Sequence, residues 1–389
     1  MKKETKNRIL KIMEETIERG DTAGASILVR KNGEEVFYGE RGMADRESNK
    51  KIQRDTIFRL YSMSKPVTAA AMMILVERGV LDLAQPVADF LPGFANLHVE
   101  ENGALVAPQK ALTLYHLLNM TSGYSYGDGT TQGAKKTAAL LEECKQKMHT
   151  EQAVSTVEFA NRLGEIPLQF HPDSTWMYGL SADILGAVVE VASGMKYGEF
   201  LKKNIFNPLD MRDTNFYVPE EKQHRLAKAY QTVGNELQLF TEDHLVISNS
   251  MKCPPAYEAG GAGLVSTIDD YARFAQMLLN GGILEGVRIL SPATVEFMTT
   301  GQLTDEQQKG LRSWNGMEGF TYANLLRIMV HPEQACTLAK KGEYGWDGWL
   351  GCYFANFPKE NMSILLMQQE KDAGTTAMTR KIRNVILSE

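Results

Sequence analysis

Apolar residues recur at helical spacing in the first twenty positions. Ile9, Leu10, Ile12, Met13 and Ile17 stand in a charged background that ends at Gly20, which predicts an amphipathic helix. The pattern then shifts to short runs rich in β-branched and aromatic residues. ASILVRKNGEEVFYGERG holds two such runs around Asn32-Gly33, a pair suited to the positive φ angles of a two-residue hairpin turn. Near the other end, GCYFANFPKENMSILLMQQ repeats the arrangement around a turn at 358–361, followed by a helix-like tail over 375–386. Hairpins at both ends predict an antiparallel sheet.

Between them the periodicity is mainly helical, with helices expected over 64–78, 113–119, 181–193, 197–206 and 269–280. The stretches 121–137 and 299–320, rich in Gly, Thr and polar residues, read as loops bordering a site. Sheet at both termini and helices in the middle predict one α/β (α+β) body formed by 1–60 and 255–389. Residues 61–254 are then a mostly helical excursion within the same catalytic unit.

Composition narrows the range of functions. The 389 residues are 43% hydrophobic and 23% charged with a net charge of −6, and Lys and Arg are dispersed, so no footprint for nucleic acid or an anionic membrane is expected. The expected partner is a small molecule, with oligomeric state open. The basic start, MKKETKNRILKIMEETIERG, is interrupted by charges too often for a signal peptide, and no run reaches the ~18 apolar residues of a membrane span. Cys144, Cys253, Cys336 and Cys352 lie far apart without CxxC spacing, which fits a reducing cytoplasm better than a disulfide framework or zinc site. The seven histidines form no ligand motif, so no metal or other cofactor is expected.

The chemistry is concentrated in LYSMSKPVTAAAMMILVERG (60–79). Pro66 is tolerated only near a helix start, which places Ser62 at the amino-terminal end, where free N–H groups suit an anionic oxygen. Lys65 follows three residues later, on the same face. A buried, neutral lysine can take a proton from a serine hydroxyl, and lowering its pKa from ~10.4 to near 7 costs about 4 to 5 kcal/mol. In isolation the same S-x-x-K also fits an N-cap serine beside a snorkelling surface lysine.

The context favours the chemistry. FRLYSMSKPVTAAAMMILVERGVLDLAQPV resembles the nucleophile segment of serine hydrolases related to class C β-lactamases and penicillin-binding proteins, closest to the family VIII carboxylesterases. LTLYHLLNMTSG (113–123 in part), MYGLSADILGAVVEVASG (177–194), IFNPLDMRDT and YGWDGWLGCYF (344–354) resemble further segments of that family, in its order. The resemblance implies a β-lactamase/transpeptidase-like fold. It makes Ser62 the acyl-accepting nucleophile, Lys65 its proton-handling partner and Tyr178 a second acid or base, its phenolate favoured by a neighbouring ammonium. It also places Trp346-Asp347-Gly348 on an edge strand beside the nucleophile, with the oxyanion hole formed by the backbone N–H groups of Ser62 and Trp349.

Two departures from that pattern bear on substrate. Leu180 stands where β-lactamases and peptidases usually carry Asn, and Trp346 where they usually carry Lys or His. Losing those polar contacts to an amide or carboxylate favours esters, so the expected activity is hydrolysis of small or medium acyl esters. β-Lactamase, D-amino-acid peptidase and acyltransferase chemistry remain alternatives on the same acyl-enzyme. Trp346, Asp347, Gly348, Tyr124 and Leu180 are expected to contact substrate, and Trp314 to line an acyl pocket. A rival nucleophile, Ser125 in GYSYG, matches the G-x-S-x-G elbow, but that motif needs a strand before it and a helix after it. Here a helix end precedes it and loop follows, so a turn bordering the site is expected. His116 is expected to be structural.

Overall fold

The computed structural model describes all residues 1–389. Asn32 and Gly33 both adopt positive φ (55° and 79°), turning β1 (Gly24–Lys31) into β2 (Glu34–Asp45) as the Asn-Gly pair predicts. At the other end, β7 (Tyr353–Phe357) and β8 (Met362–Gln368) form a hairpin through left-handed Asn361. The two ends of the chain meet where β8 pairs antiparallel with β1, placing Ile27 opposite Leu366. With β3 (Lys50–Lys51), β4 (Phe320–Ala323), β5 (Leu326–Met329) and β6 (Tyr344–Asp347), the result is an eight-stranded antiparallel sheet in the order β4-β5-β6-β7-β8-β1-β2-β3.

Strand β6 therefore lies inside the sheet, not on its edge as the sequence reading expected. The hairpin β4–β5 covers it. That hairpin turns through Asn324 and Leu325, both at positive φ (49° and 62°), so it carries no Asn-Gly signal. The expected loops 121–137 and 299–320 are also partly helical. Helix α4 (Gln132–Lys147) starts behind the Thr131 cap, α9 (Pro292–Thr300) overlaps the second stretch, and α10 (Asp305–Arg312) opens with a Thr304/Gln307 capping box. Their polar faces explain why composition alone read as loop.

Side chains alternate across the sheet. Ala25, Ile27 and Val29 of β1 join Tyr353, Ala355, Ile364 and Leu366 beneath α1 (Lys3–Glu18) and α11 (Ala377–Leu387). Leu28, Phe354, Leu365 and Met367 face the opposite way, into the larger core beside α8 (Ile268–Leu279). Strand β8 is buried throughout, which is why its sequence is a nearly continuous apolar run.

In the helical region, α2 (Lys65–Glu77) is buried from Lys65 to Leu75 and packs on α6 (Ser181–Ser193). Helices α3 (Leu114–Leu118), α5 (Thr156–Gly164) and α7 (Tyr197–Leu201) pack on the other faces of α6. A helix apolar all round belongs in a core, and the buried stretch of α2 carries one charge, Lys65, at its first position. No helix is long and apolar enough to cross a membrane, and all four cysteines are free.

Candidate active site

The start of α2, the carboxyl end of β6 and the segment before α6 converge on one point. A 3-10 turn over Tyr61–Ser64 precedes α2, so the N–H of Ser62 lies in an opening turn, without an intrahelical partner. Tyr61 holds φ 44°, an uncommon conformation for a bulky residue, fixed by its ring packing on Trp349 at 4.9 Å. Two glycines permit the convergence. A Cβ at Gly348 would sit 2.2 Å from the Leu60 carbonyl oxygen, and one at Gly179 would sit 1.9 Å from that of Tyr124.

Lys65 is completely buried, and its Nζ lies 3.1 Å from Ser62 Oγ, 2.8 Å from Tyr126 Oη and 2.8 Å from the Gly261 carbonyl. Burial pushes its pKa down to about 7, against the opposing pull of Asp183 and Asp347. A neutral amine has two hydrogens and one lone pair. With the hydrogens on Gly261 and Tyr126, the lone pair is left for the Ser62 hydroxyl proton.

Tyr178 borders the same cavity as Ser62 and accepts the indole N–H of Trp346 at 3.0 Å. Its ring lies among Trp314, Trp346, Tyr126 and Trp176, and Lys65 Nζ sits 4.5 Å from the ring centroid. Burial pushes its phenol above the ordinary range. A nearby ammonium was expected to favour the phenolate; burial acts in the opposite direction and keeps the phenol protonated.

The backbone N–H of Trp349 takes no protein partner, while Gly348 N donates to the Cys352 carbonyl at 2.7 Å and anchors the turn. The Trp349 ring stacks on His244 at 3.9 Å and donates its indole N–H to Asp372 at 2.6 Å. An open cavity of about 1030 Å³ begins at Ser62 and is bordered by Tyr126, Tyr178, Trp314, Asp347, Gly348 and Trp349.

Three expected contacts are displaced. Tyr124 is 1% exposed and packs edge-on against Phe94, outside the cavity; its neighbour Tyr126 holds the wall instead. Leu180 is equally buried, just before α6, and Trp346 is wholly buried, meeting the site through its bond to Tyr178 and its packing on the Tyr178 and Trp314 rings. Asp347 does border the cavity, but its Oδ2 is occupied by Arg327 at 3.0 Å and by Thr375. Ser125 is buried in a turn, its Oγ accepting from Gly127 N at 3.1 Å and from Gln169 Nε2 at 2.6 Å, with no base beside it. His116 caps α3 through Thr113.

The sequence reading missed Tyr126, Asp183, His244 and Gly261. Tyr126 lay inside the rival G-x-S-x-G motif, and Asp183 was legible as a lone charge in an apolar helix start. His244 belongs to a tight turn in which Leu245 and Val246 both hold positive φ (54° and 60°), which no sequence pattern signals. No cluster of three or more His, Cys, Asp or Glu is arranged to hold a metal.

The family model described as Beta-lactamase matches residues 9–386. The chain is 31% identical over 367 residues to Protein Rv1367c of Mycobacterium tuberculosis, covering 91% of this chain and 88% of that protein. It is 27% identical over 398 residues to Esterase EstB of Burkholderia gladioli, covering 97% and 94%. The solved structure of EstCE1, described as a hydrolase with promiscuous acyltransferase activity, shares the fold with TM-score 0.83 over 98% of both chains at 24% identity.

Proposed function

The chain belongs to the β-lactamase family and is a serine hydrolase, and from that premise we propose that it is a carboxylesterase acting on small or medium acyl esters through a Ser62 acyl-enzyme. The observation that carries the reading is the buried Lys65 amine, at about pKa 7 and 3.1 Å from Ser62 Oγ. Lys65 takes the Ser62 proton as Oγ attacks the ester carbonyl. The N–H groups of Ser62 and Trp349 receive the oxyanion, each such donor typically contributing ~10² to 10³ in rate. Tyr178 then passes a proton to the departing alkoxide, and water releases the acid by the reverse sequence.

The preference for esters rests on the apolar replacements. Leu180 supplies no hydrogen bond to an amide, and the Trp346 N–H is committed to Tyr178. The likeness to Esterase EstB supports the same choice. A series of p-nitrophenyl esters of increasing acyl length, run beside a chromogenic cephalosporin, tests it. Ester turnover is expected to exceed cephalosporin turnover, and the opposite order overturns the substrate assignment. The cavity has room for an alcohol beside the acyl group, so an added alcohol acceptor measures how much acyl-enzyme goes to transfer instead of water.

A further inference from the structure

Asp183, in the first turn of α6, is 3% exposed, and one of its two carboxylate oxygens is orphaned. Oδ1 accepts from Tyr257 Oη at 2.7 Å and from the Gly261 N–H at 3.2 Å, whereas Oδ2 has no hydrogen-bond partner. An unsatisfied buried carboxylate oxygen is destabilising, so a purely structural role accounts poorly for it. Gly261 links the acid to the amine. Its N–H donates to Asp183 and its carbonyl accepts from Lys65 at 2.8 Å. A Cβ at this position would lie 2.5 Å from Asp183 Oδ2, so only glycine lets the carboxylate come this close to the backbone that holds the lysine.

We infer that Asp183 is a positioning residue for Lys65: through Gly261 it holds the amine against the Ser62 hydroxyl and stabilises the ammonium formed when Ser62 gives up its proton. The inference rests on the acyl-enzyme reading above. In the step concerned, the Ser62 O–H bond breaks as Oγ bonds to the ester carbonyl carbon, and the proton becomes the third hydrogen on Nζ. Asp183 stays ionised and exchanges no proton. Each of the two groups favours the charged form of the other across the gap between them. The other groups facing them are Tyr126, Tyr178, Tyr197 and Tyr257, all kept protonated by burial, and Asp347, which Lys65 also feels. Asp183 is thus the fixed charge nearest the backbone that holds the amine, and its loss should reach Lys65 before any other group.

The test is the pH profile of kcat/KM for p-nitrophenyl butyrate with Asp183→Asn, a substitution of nearly equal shape. Without the negative charge the ammonium is less favoured, so the acid limb moves to lower pH. The plateau falls on the order of 10- to 100-fold, as for a general base whose conjugate acid loses a charged partner. Tyr257→Phe removes a donor that stabilises the carboxylate and so weakens the charge that favours the ammonium, moving the limb the same way by a smaller amount. An unmoved limb in both variants, or in whichever one folds, overturns the inference even if melting temperature drops. Failure of the parent reading looks different, because the wild type would then turn over no ester and leave Ser62 unlabelled by a serine-directed phosphonate.

Discussion

Replacing Lys65 by Met should remove activity and yet lessen a stability penalty that depends on pH. Folding takes the Lys65 ammonium out of water and lowers its pKa from an ordinary 10.5 to about 7. At 1.36 kcal/mol per pH unit, the buried site disfavours the charged form by about 4 to 5 kcal/mol. Folded Lys65 titrates below unfolded lysine, so between those two values the unfolded chain holds more protons and wild-type stability rises with pH. The full penalty is present below about pH 7 and is relieved as pH climbs toward 10.5. Methionine carries none of it, but strands Ser62 Oγ, Tyr126 Oη and the Gly261 carbonyl, at roughly 1 kcal/mol each, with no dependence on pH in this range. The absolute difference between variant and wild type mixes these terms; its pH dependence isolates the titration. Urea unfolding at pH 6 and pH 9 should show the variant's relative stability falling by about 2 to 3 kcal/mol between the two. An Asp183 deprived of its ammonium moves the difference in the same direction, because a buried carboxyl is also destabilised as it ionises. A difference that is flat, or that grows with pH, would refute a buried lysine of lowered pKa and with it the proposed base.

Ser62→Ala should lower ester turnover by several orders of magnitude and abolish phosphonate labelling seen by mass spectrometry, whereas Ser125→Ala, which breaks only a turn, should keep most activity; the reverse pattern would restore the rival motif. In the wild type, kcat/KM should fall as pH drops through about 7, because Lys65 below that pH already carries the proton it needs to accept. A profile level down to pH 5 would exclude Lys65 as the base. Trp346→Phe keeps an aromatic core but removes the donor to Tyr178 Oη, and should reduce kcat roughly tenfold with little change in KM, measurable by steady-state kinetics on p-nitrophenyl butyrate.

Resemblance to a family marked the segments that meet at the cavity, while the sequence by itself determined the two hairpins and most of the helices. Each rests on a local rule: Asn-Gly for the turn at 32–33, Pro66 for the helix start, and helical periodicity for α6. Ser62 and Lys65 were legible together because three residues on one helix face fix their separation, and 3.1 Å is what results. The tertiary structure decided what no local pattern encodes. The hairpin β4–β5 turns through two non-glycine residues at positive φ, carries no sequence signal, and covers β6, which the family resemblance implied to be an edge. Tyr126 replaces Tyr124 in the wall because a turn rotates one side chain into the core and its neighbour toward Lys65. The protonation states belong to the fold as well: the pKa of Lys65 follows from complete burial, and that of Tyr178 from the rings around it. Asp183 and Gly261, 78 residues apart, meet only when α6 packs against the Gly260–Gly261 segment, since a long-range electrostatic partner is specified by packing and not by spacing.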